Sequence, residues 1–173
     1  MLHSTLILAL AAVAAAQSPA RPLDIHFTPT RQAVAEAMLD LAGTHADDVV
    51  YDLGSGDGRL VILAAQRHGA RGVGYELQSD LVLLSRQSAA DAGVADRVRF
   101  VEADLRTADL APATVVLLYL STTLTRELTP KLLVELRPGA RIVSHQFLLA
   151  DRPPDRTLTV DGERLYLWTV PPR

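Results

Sequence analysis

The hydrophobic positions of this chain change period several times, and each change marks an expected element. The first stretch has no period at all: Leu6 to Ala16 is an uncharged apolar run ending in Ala14-Ala15-Ala16-Gln17. As a helix it spans roughly 16 Å, about half of a hydrocarbon core of roughly 30 Å. Residues 1–16 therefore read as a signal peptide, cleaved after Ala16 for export, or as an uncleaved apolar anchor with the domain in the cytoplasm. Met1 to Thr5 lack the Lys or Arg that a signal peptide usually carries, which keeps a misassigned start open as well. Residues 17–30, with Pro19, Pro22 and Pro29 and no periodicity, read as an extended leader to a domain at 31–173.

From there strand and helix periods alternate. Thr30 can cap a helix over Arg31 to Ala42, with Val34, Met38 and Leu41 on one face and Gly43 at the exit. Val49 to Leu53 is a buried-strand pattern that runs into Gly54, Gly56 and Gly58 and then a helical stretch from Arg59 to His68. Arg71 to Glu76 is a second strand, and Ser79 a plausible cap for a helix over Asp80 to Ala92. Asp96 to Asp104, Thr114 to Leu120 and Ala140 to Phe147 read as strands three, four and five. Between the last two, the stripe Leu124, Leu128, Leu132 and Leu136 is helical, with a break or kink expected at Thr129-Pro130. Arg156 to Val160 and Leu165 to Val170 form a hairpin across Asp161-Gly162, with Glu163 and Arg164 lengthening its turn. The pattern predicts a Rossmann-like, doubly wound α/β fold whose mostly parallel sheet ends in an antiparallel hairpin. Leu148 to Asp155 is too short for a helical crossover, so the order of the last strands stays open.

Composition removes several chemistries. With no cysteine there is no disulfide, Cys-ligated zinc or thiolate nucleophile, and no metal is expected. A net charge of −3 gives no basic field for a phosphate backbone, so there is no strong nucleic-acid signal.

The candidate chemistry lies in the turn Asp52-Leu53-Gly54-Ser55-Gly56-Asp57-Gly58. Glycines between a first strand and a helix let backbone approach a ligand. Arg59 stands where the dinucleotide fingerprint has its third glycine, which disfavours NAD or FAD, and no Gly-Lys-Ser/Thr makes a Walker loop. Glu76, about 20 residues on, ends the second strand where a carboxylate can take both ribose hydroxyls of an adenosine. Asp104 sits on the same edge one strand further. Three carboxylates with no basic residue among them suit a ligand bearing hydroxyls, amines and a cationic sulfonium; Asp104 alone reads equally as a solvated loop acid.

The segment VVYDLGSGDGRLVILAAQRHGARGVGYEL resembles the first motif and second strand of class I S-adenosylmethionine-dependent methyltransferases. The likeness continues through AGVADRVRFVEADL, ATVVLLYL, LTPKLLVELRPGARIVSHQF and LYLWTVP, toward small bacterial relatives of mitochondrial protein-lysine methyltransferases. It implies that Asp52, Gly54 and Gly56, with Ser55 between them, surround the methionine end of S-adenosylmethionine. It also implies that Glu76 holds the ribose and that Asp104, followed by Leu105, lies near the adenine amine. Phe27, Thr28, Pro29 and Thr30 are similar to an aromatic-x-Pro-Thr stretch that closes over the methionine moiety, and read equally as a leader packing Phe27 into the core. After the fourth strand, Ser121-Thr122-Thr123-Leu124-Thr125 departs from the Leu-Pro and Asn of the relatives, at the expected entrance for substrate.

The resemblance implies transfer of a methyl group to an acceptor amine, first a protein lysine, on a protein substrate that includes membrane proteins among its candidates. Small-molecule or RNA methylation and a non-catalytic binding module are the alternatives. Such transfer needs alignment and exclusion of water more than a nucleophilic side chain. Tyr119, Ser121 and His145 end strands four and five at the expected ligand edge, where they can orient the amine or take its proton through water. Tyr119 reads also as a half-buried aromatic, and His145 first as a hydrogen-bonded structural histidine. No Asn/Asp-Pro-Pro-aromatic clamp for an adenine amine follows strand four.

Overall fold

The computed structural model describes residues 28–172. The expected signal peptide or anchor at 1–16, most of the leader and the candidate residue Phe27 lie outside the described residues.

The elements run α1 (Gln32–Ala42), β1 (Val49–Leu53), α2 (Arg59–His68), β2 (Arg71–Glu76), α3 (Ser79–Asp91), β3 (Val98–Glu102), β4 (Val115–Leu118), α4 (Thr122–Glu135), β5 (Arg141–His145), β6 (Arg156–Val160) and β7 (Glu163–Thr169). They form one seven-stranded sheet of order β3-β2-β1-β4-β5-β7-β6. All strands are parallel except β7, which pairs antiparallel with both β5 and β6. This is the expected Rossmann-like sheet with a terminal hairpin.

Strand alternation sorts the core into two layers. Val50, Val115, Leu117, Val143, Leu165 and Leu167 pack with α1, α2 and α3. Tyr51, Leu53, Val116, Leu118, Ile142, Tyr166 and Trp168 face the leucine stripe of α4 and the 103–113 segment.

The strand order left open by the sequence is decided by burial. β7 carries Leu165-Tyr166-Leu167-Trp168, all buried, whereas β6 is exposed at four of its five positions. The apolar strand takes the inner place and the polar one the edge. Passing two strands means crossing about 9.6 Å, well within the roughly 26 Å reach of eight extended residues.

Five local expectations are corrected. The hairpin turn is only Asp161-Gly162, both left-handed (φ 52° and 82°), with Val160 opposite Glu163, so Glu163 and Arg164 belong to β7. Thr30 does not cap α1: the cap position is Arg31, and the Thr30 carbonyl is taken instead by Arg59 Nη1 at 2.8 Å. Ser79 is the first residue of α3, and its hydroxyl donates to Glu102. Strands three, four and five are each shorter than expected at both ends, and past their carboxyl ends the chain turns away to build loops. Pro130 does not break α4. The Thr129 hydroxyl donates to the Thr125 carbonyl at 2.8 Å and accepts the Ala150 N–H at 3.1 Å, which ties down the turn that the proline weakens.

Gly58, the left-handed residue before α2 (φ 80°), lies where a Cβ would be 2.5 Å from Phe100 Cε1 and 2.9 Å from Ser85 Cβ. The close helix-to-sheet approach is thus made one residue before Arg59. Gly162 has the same backbone sign but open space around it. Gly58→Ala is expected to cost about 2 to 4 kcal/mol in chemical denaturation and Gly162→Ala about 1 kcal/mol. Equal losses would show that backbone strain alone is at work.

Candidate active site

The site follows from strand parity. Asp52 continues the face of Val50, Tyr119 that of Leu117, and His145 that of Val143, so these side chains rise from one side of the sheet at its carboxyl edge. Glu76 ends β2 beside them. Between β1 and β4 the sheet changes winding direction, which is where open α/β sheets bind ligands.

The glycine turn is held from three directions. Gly54 and Ser55 N–H both donate to the Tyr75 carbonyl at 2.9 Å, Gly56 N–H donates to Glu76 Oε2 at 2.9 Å, and Ser85 Oγ on α3 donates to the Gly56 carbonyl at 2.9 Å. Glu76 Oε1 also accepts Leu77 N–H at 2.8 Å and Gln78 N–H at 2.9 Å. A carboxylate offers about four acceptor positions, so Glu76 organises the loop and keeps capacity for a hydroxyl.

A cavity of about 330 Å³ opens above this turn. Its wall includes the expected Thr28, Pro29, Thr30, Asp52, Gly54, Ser55, Glu76, Asp104, Leu105 and Tyr119. Gly56 is off the wall and contributes its N–H to Glu76. Ser121 is also off the wall, its hydroxyl capping α4 by accepting the Leu124 N–H at 3.3 Å. His145 is buried behind Tyr119, their ring centroids 4.0 Å apart. Its Nε2 meets the Glu163 carboxylate, and its Nδ1 is buried without a partner among the described residues. Burial holds the His145 pKa below its ordinary value despite the Glu163 contact, while Arg31 and His145 lower that of Glu163. In this position the ring supports Tyr119 and does not reach the cavity.

Sequence reasoning missed the two arginines on the wall, and its expectation of carboxylates without basic neighbours is corrected. Arg59 binds Asp57, with Nη2 at 2.6 Å from Oδ2, and reaches the Thr30 carbonyl, so it clamps the leader over the cavity. Arg106 Nη1 lies 2.8 Å from Asp104 Oδ2 and its Nε 2.6 Å from Glu127 Oε1. The two aspartate pairs are local, Asp-x-Arg in each case, and that spacing was the available signal. Leu77, Leu120 and Leu124 add apolar wall.

Asp52 is the exception among the acids. It is 3% exposed and accepts no hydrogen bond among the described residues. Burial, reinforced by the charges of Glu76 and Asp57, pushes its pKa up to about 8. A buried, unpartnered acid on a cavity wall calls for a cationic group. With Glu76 free to accept a hydroxyl and leucines beside them, the donor set fits S-adenosylmethionine.

Residues 52–156 match the family described as ANTKMT methyltransferase domain. The chain belongs to this methyltransferase family, whose cofactor is S-adenosylmethionine. It is 34% identical over 151 residues to a protein-lysine N-methyltransferase of Saccharolobus islandicus, covering 84% of this chain and 94% of that one. It is 38% identical over 122 residues to the adenine nucleotide translocase lysine N-methyltransferase of Mus musculus, covering 70% of this chain but 53% of the relative, so it spans about half of that protein's length. Among solved structures, an RNA methyltransferase from Salinibacter ruber in complex with S-adenosyl-L-homocysteine is 49% identical, with a TM-score of 0.83 over 84% of this chain and 95% of that one.

The state of Asp52 makes cofactor binding and folding respond to pH in opposite senses. Because a cationic ligand favours ionised Asp52, S-adenosylmethionine should bind more tightly as pH rises from 6 to 8, by up to about tenfold per unit, and level off above. Ionised Asp52 also opposes folding: its folded pKa lies above the unfolded value, so stability from this group falls as pH rises from about 4 through 8. Asp52→Asn should flatten the binding profile and raise the melting temperature of the ligand-free protein at pH 8, measured by calorimetry and thermal denaturation.

Glu76→Ala removes a ligand acceptor and also the partner of three backbone N–H groups. It should weaken cofactor binding by about 1.5 to 3 kcal/mol and lower folding stability by about 1 to 3 kcal/mol while the fold persists. Loss of stability with an unchanged dissociation constant would restrict Glu76 to the loop.

Proposed function

We propose that this protein transfers a methyl group to the ε-amine of a lysine on another protein. The observation that carries the proposal is that one cavity joins a cofactor wall, built on Asp52 and Glu76, to Tyr119 at the end of β4. The names of the archaeal and mouse relatives support lysine as the acceptor. Bound S-adenosylmethionine supplies an already activated methyl group. The chain's own residues then have three tasks. Asp52 and Glu76 hold the cofactor's charged and hydroxyl groups, and the Thr28–Thr30 strip, clamped by Arg59, excludes water together with Leu120 and Leu124. Tyr119, whose hydroxyl makes no hydrogen bond among the described residues, orients the amine and passes its proton toward water.

The name of the Salinibacter ruber structure favours a second reading, RNA methylation. Two features weigh against it: the net charge of −3, and wall arginines Arg59 and Arg106 already committed to carboxylates, which leaves little for phosphates. The apolar run Leu6 to Ala16 supports a membrane protein as acceptor by holding the domain near lipid. The need for cofactor favours an anchored form over export, and N-terminal sequencing of the native protein separates them.

Lysine must lose a proton before it attacks, and its reference pKa is about 10.4. Turnover should therefore climb between about pH 7 and 9. Tyr119→Phe should lower turnover about tenfold or more with cofactor affinity nearly unchanged. Methyl transfer from labelled cofactor into membrane and RNA fractions, with peptide mapping, is the test. Label on lysine supports the proposal, and label confined to RNA overturns it.

A further inference from the structure

Just past β5 the backbone adopts a conformation that chain reversal alone does not require. Gln146 has φ +68°, in the left-handed region that an unbranched glutamine rarely enters. Phe147 N–H donates to the His145 carbonyl at 2.9 Å, closing a three-residue turn around this positive φ. Such turns are strained and persist only where their surroundings hold them. Here Gln146 N–H donates to the Arg164 carbonyl at 2.8 Å, and its side-chain amide donates to Glu163 Oε2 at 3.3 Å. Glu163 in turn takes His145 Nε2 and the guanidinium of Arg31, the latter at 2.7 Å.

The result of this bracing is an aromatic pair. Phe147 is turned back onto Tyr119, with ring centroids 6.5 Å apart and planes 26° from parallel. Both rings are half-buried. Tyr119 is on the cavity wall and Phe147, off the wall, lies beside it, so the pair starts at the cavity's Tyr119 side.

We propose that Tyr119 and Phe147 form a subsite for the methylene stem of a primary alkylamine, and that the Gln146 turn is the device that positions Phe147. The proposal rests on the lysine reading above and names the residues that would select for it. The accessible parts of two half-buried rings remove methylene groups from water, each methylene contributing roughly fourfold in affinity. The same rings attract the amine while it is still protonated. The Tyr119 hydroxyl is the pair's single hydrogen-bonding group: it suits one amine, whereas a nucleobase edge presents several donors and acceptors.

The test uses the full chain saturated with S-adenosyl-L-homocysteine and labelled with fluorophenylalanine, and the probe is n-pentylamine. The three phenylalanines are Phe27, Phe100 and Phe147, and Phe147→Leu assigns its own resonance while nearly preserving volume. The Phe147 signal should move to saturation and the Phe100 signal should stay. n-Propylamine, two methylenes shorter, should bind roughly fifteenfold more weakly. Phe147→Ala should weaken n-pentylamine by about tenfold, and Gln146→Gly, which adopts the turn without strain but releases the tie to Glu163, by about threefold. Cofactor affinity should stay the same in each variant, and with a lysine-bearing acceptor the Phe147→Ala variant should raise KM more than it lowers kcat. An unmoved Phe147 signal, or equal affinity for the two amines, overturns the subsite. If the enzyme still labels lysine in that case, only the subsite falls. If it labels RNA alone, the lysine reading falls with it.

Discussion

At the carboxyl edge of a parallel sheet the backbone leaves its ladder, and its N–H groups must find other partners. Glu76 collects three of them, from Gly56, Leu77 and Gln78. One carboxylate thus fixes the glycine turn after β1 to the exit of β2, and the rest of the site is arranged around that junction. Ser85 pins the turn from α3, Gly58 lets Phe100 come up beneath it, and Arg59 leaves the start of α2 to hold the leader. Without the Glu76 tie the turn keeps the Tyr75 carbonyl and Ser85, but Gly56 loses its link to the exit of β2.

Asp52 is the counterpart of this economy. Its carboxyl is buried and without a hydrogen-bond partner among the described residues, and two neighbouring acids make ionisation harder still. A fold selected only for stability would place an apolar residue there. The position makes sense as a group whose partner arrives with the cofactor, so that part of the binding energy is relief of a cost that folding has already incurred. The other aspartates on the cavity wall differ visibly: Asp57 and Asp104 each pair with an arginine two residues on.

Much of this was legible in the sequence because it depends on period and punctuation. The strands, the glycine turn and Glu76 follow from alternation, from the positions of glycines and from a spacing of about 20 residues. The inner place of β7 was legible in principle from its four consecutive apolar residues against the polar β6. What was not legible depends on contacts between distant segments. Ser121 and His145 sit at the right strand ends, but nothing in the sequence says that one caps α4 and that the other is covered by Tyr119. The Gln146 turn was hidden for a similar reason: its strain is held by Glu163 and Arg164 from another strand. Ser79 had good capping chemistry but gives its hydroxyl to Glu102, 23 residues away, and Thr30 stands one residue before the cap position, its carbonyl held by Arg59 from 29 residues away.

The Arg31–Glu163 pair joins residues 132 positions apart. During synthesis at about 5 to 20 residues per second, roughly 7 to 26 seconds separate the emergence of its two halves. In that interval the place beside β5 is empty and His145 lacks its carboxylate. The cofactor wall is encoded by residues 28 to 124, but the acceptor side is complete only when the last strand of the chain supplies Glu163, so a chain cut short before β7 would keep the cofactor's residues and lose the support of those that would use it.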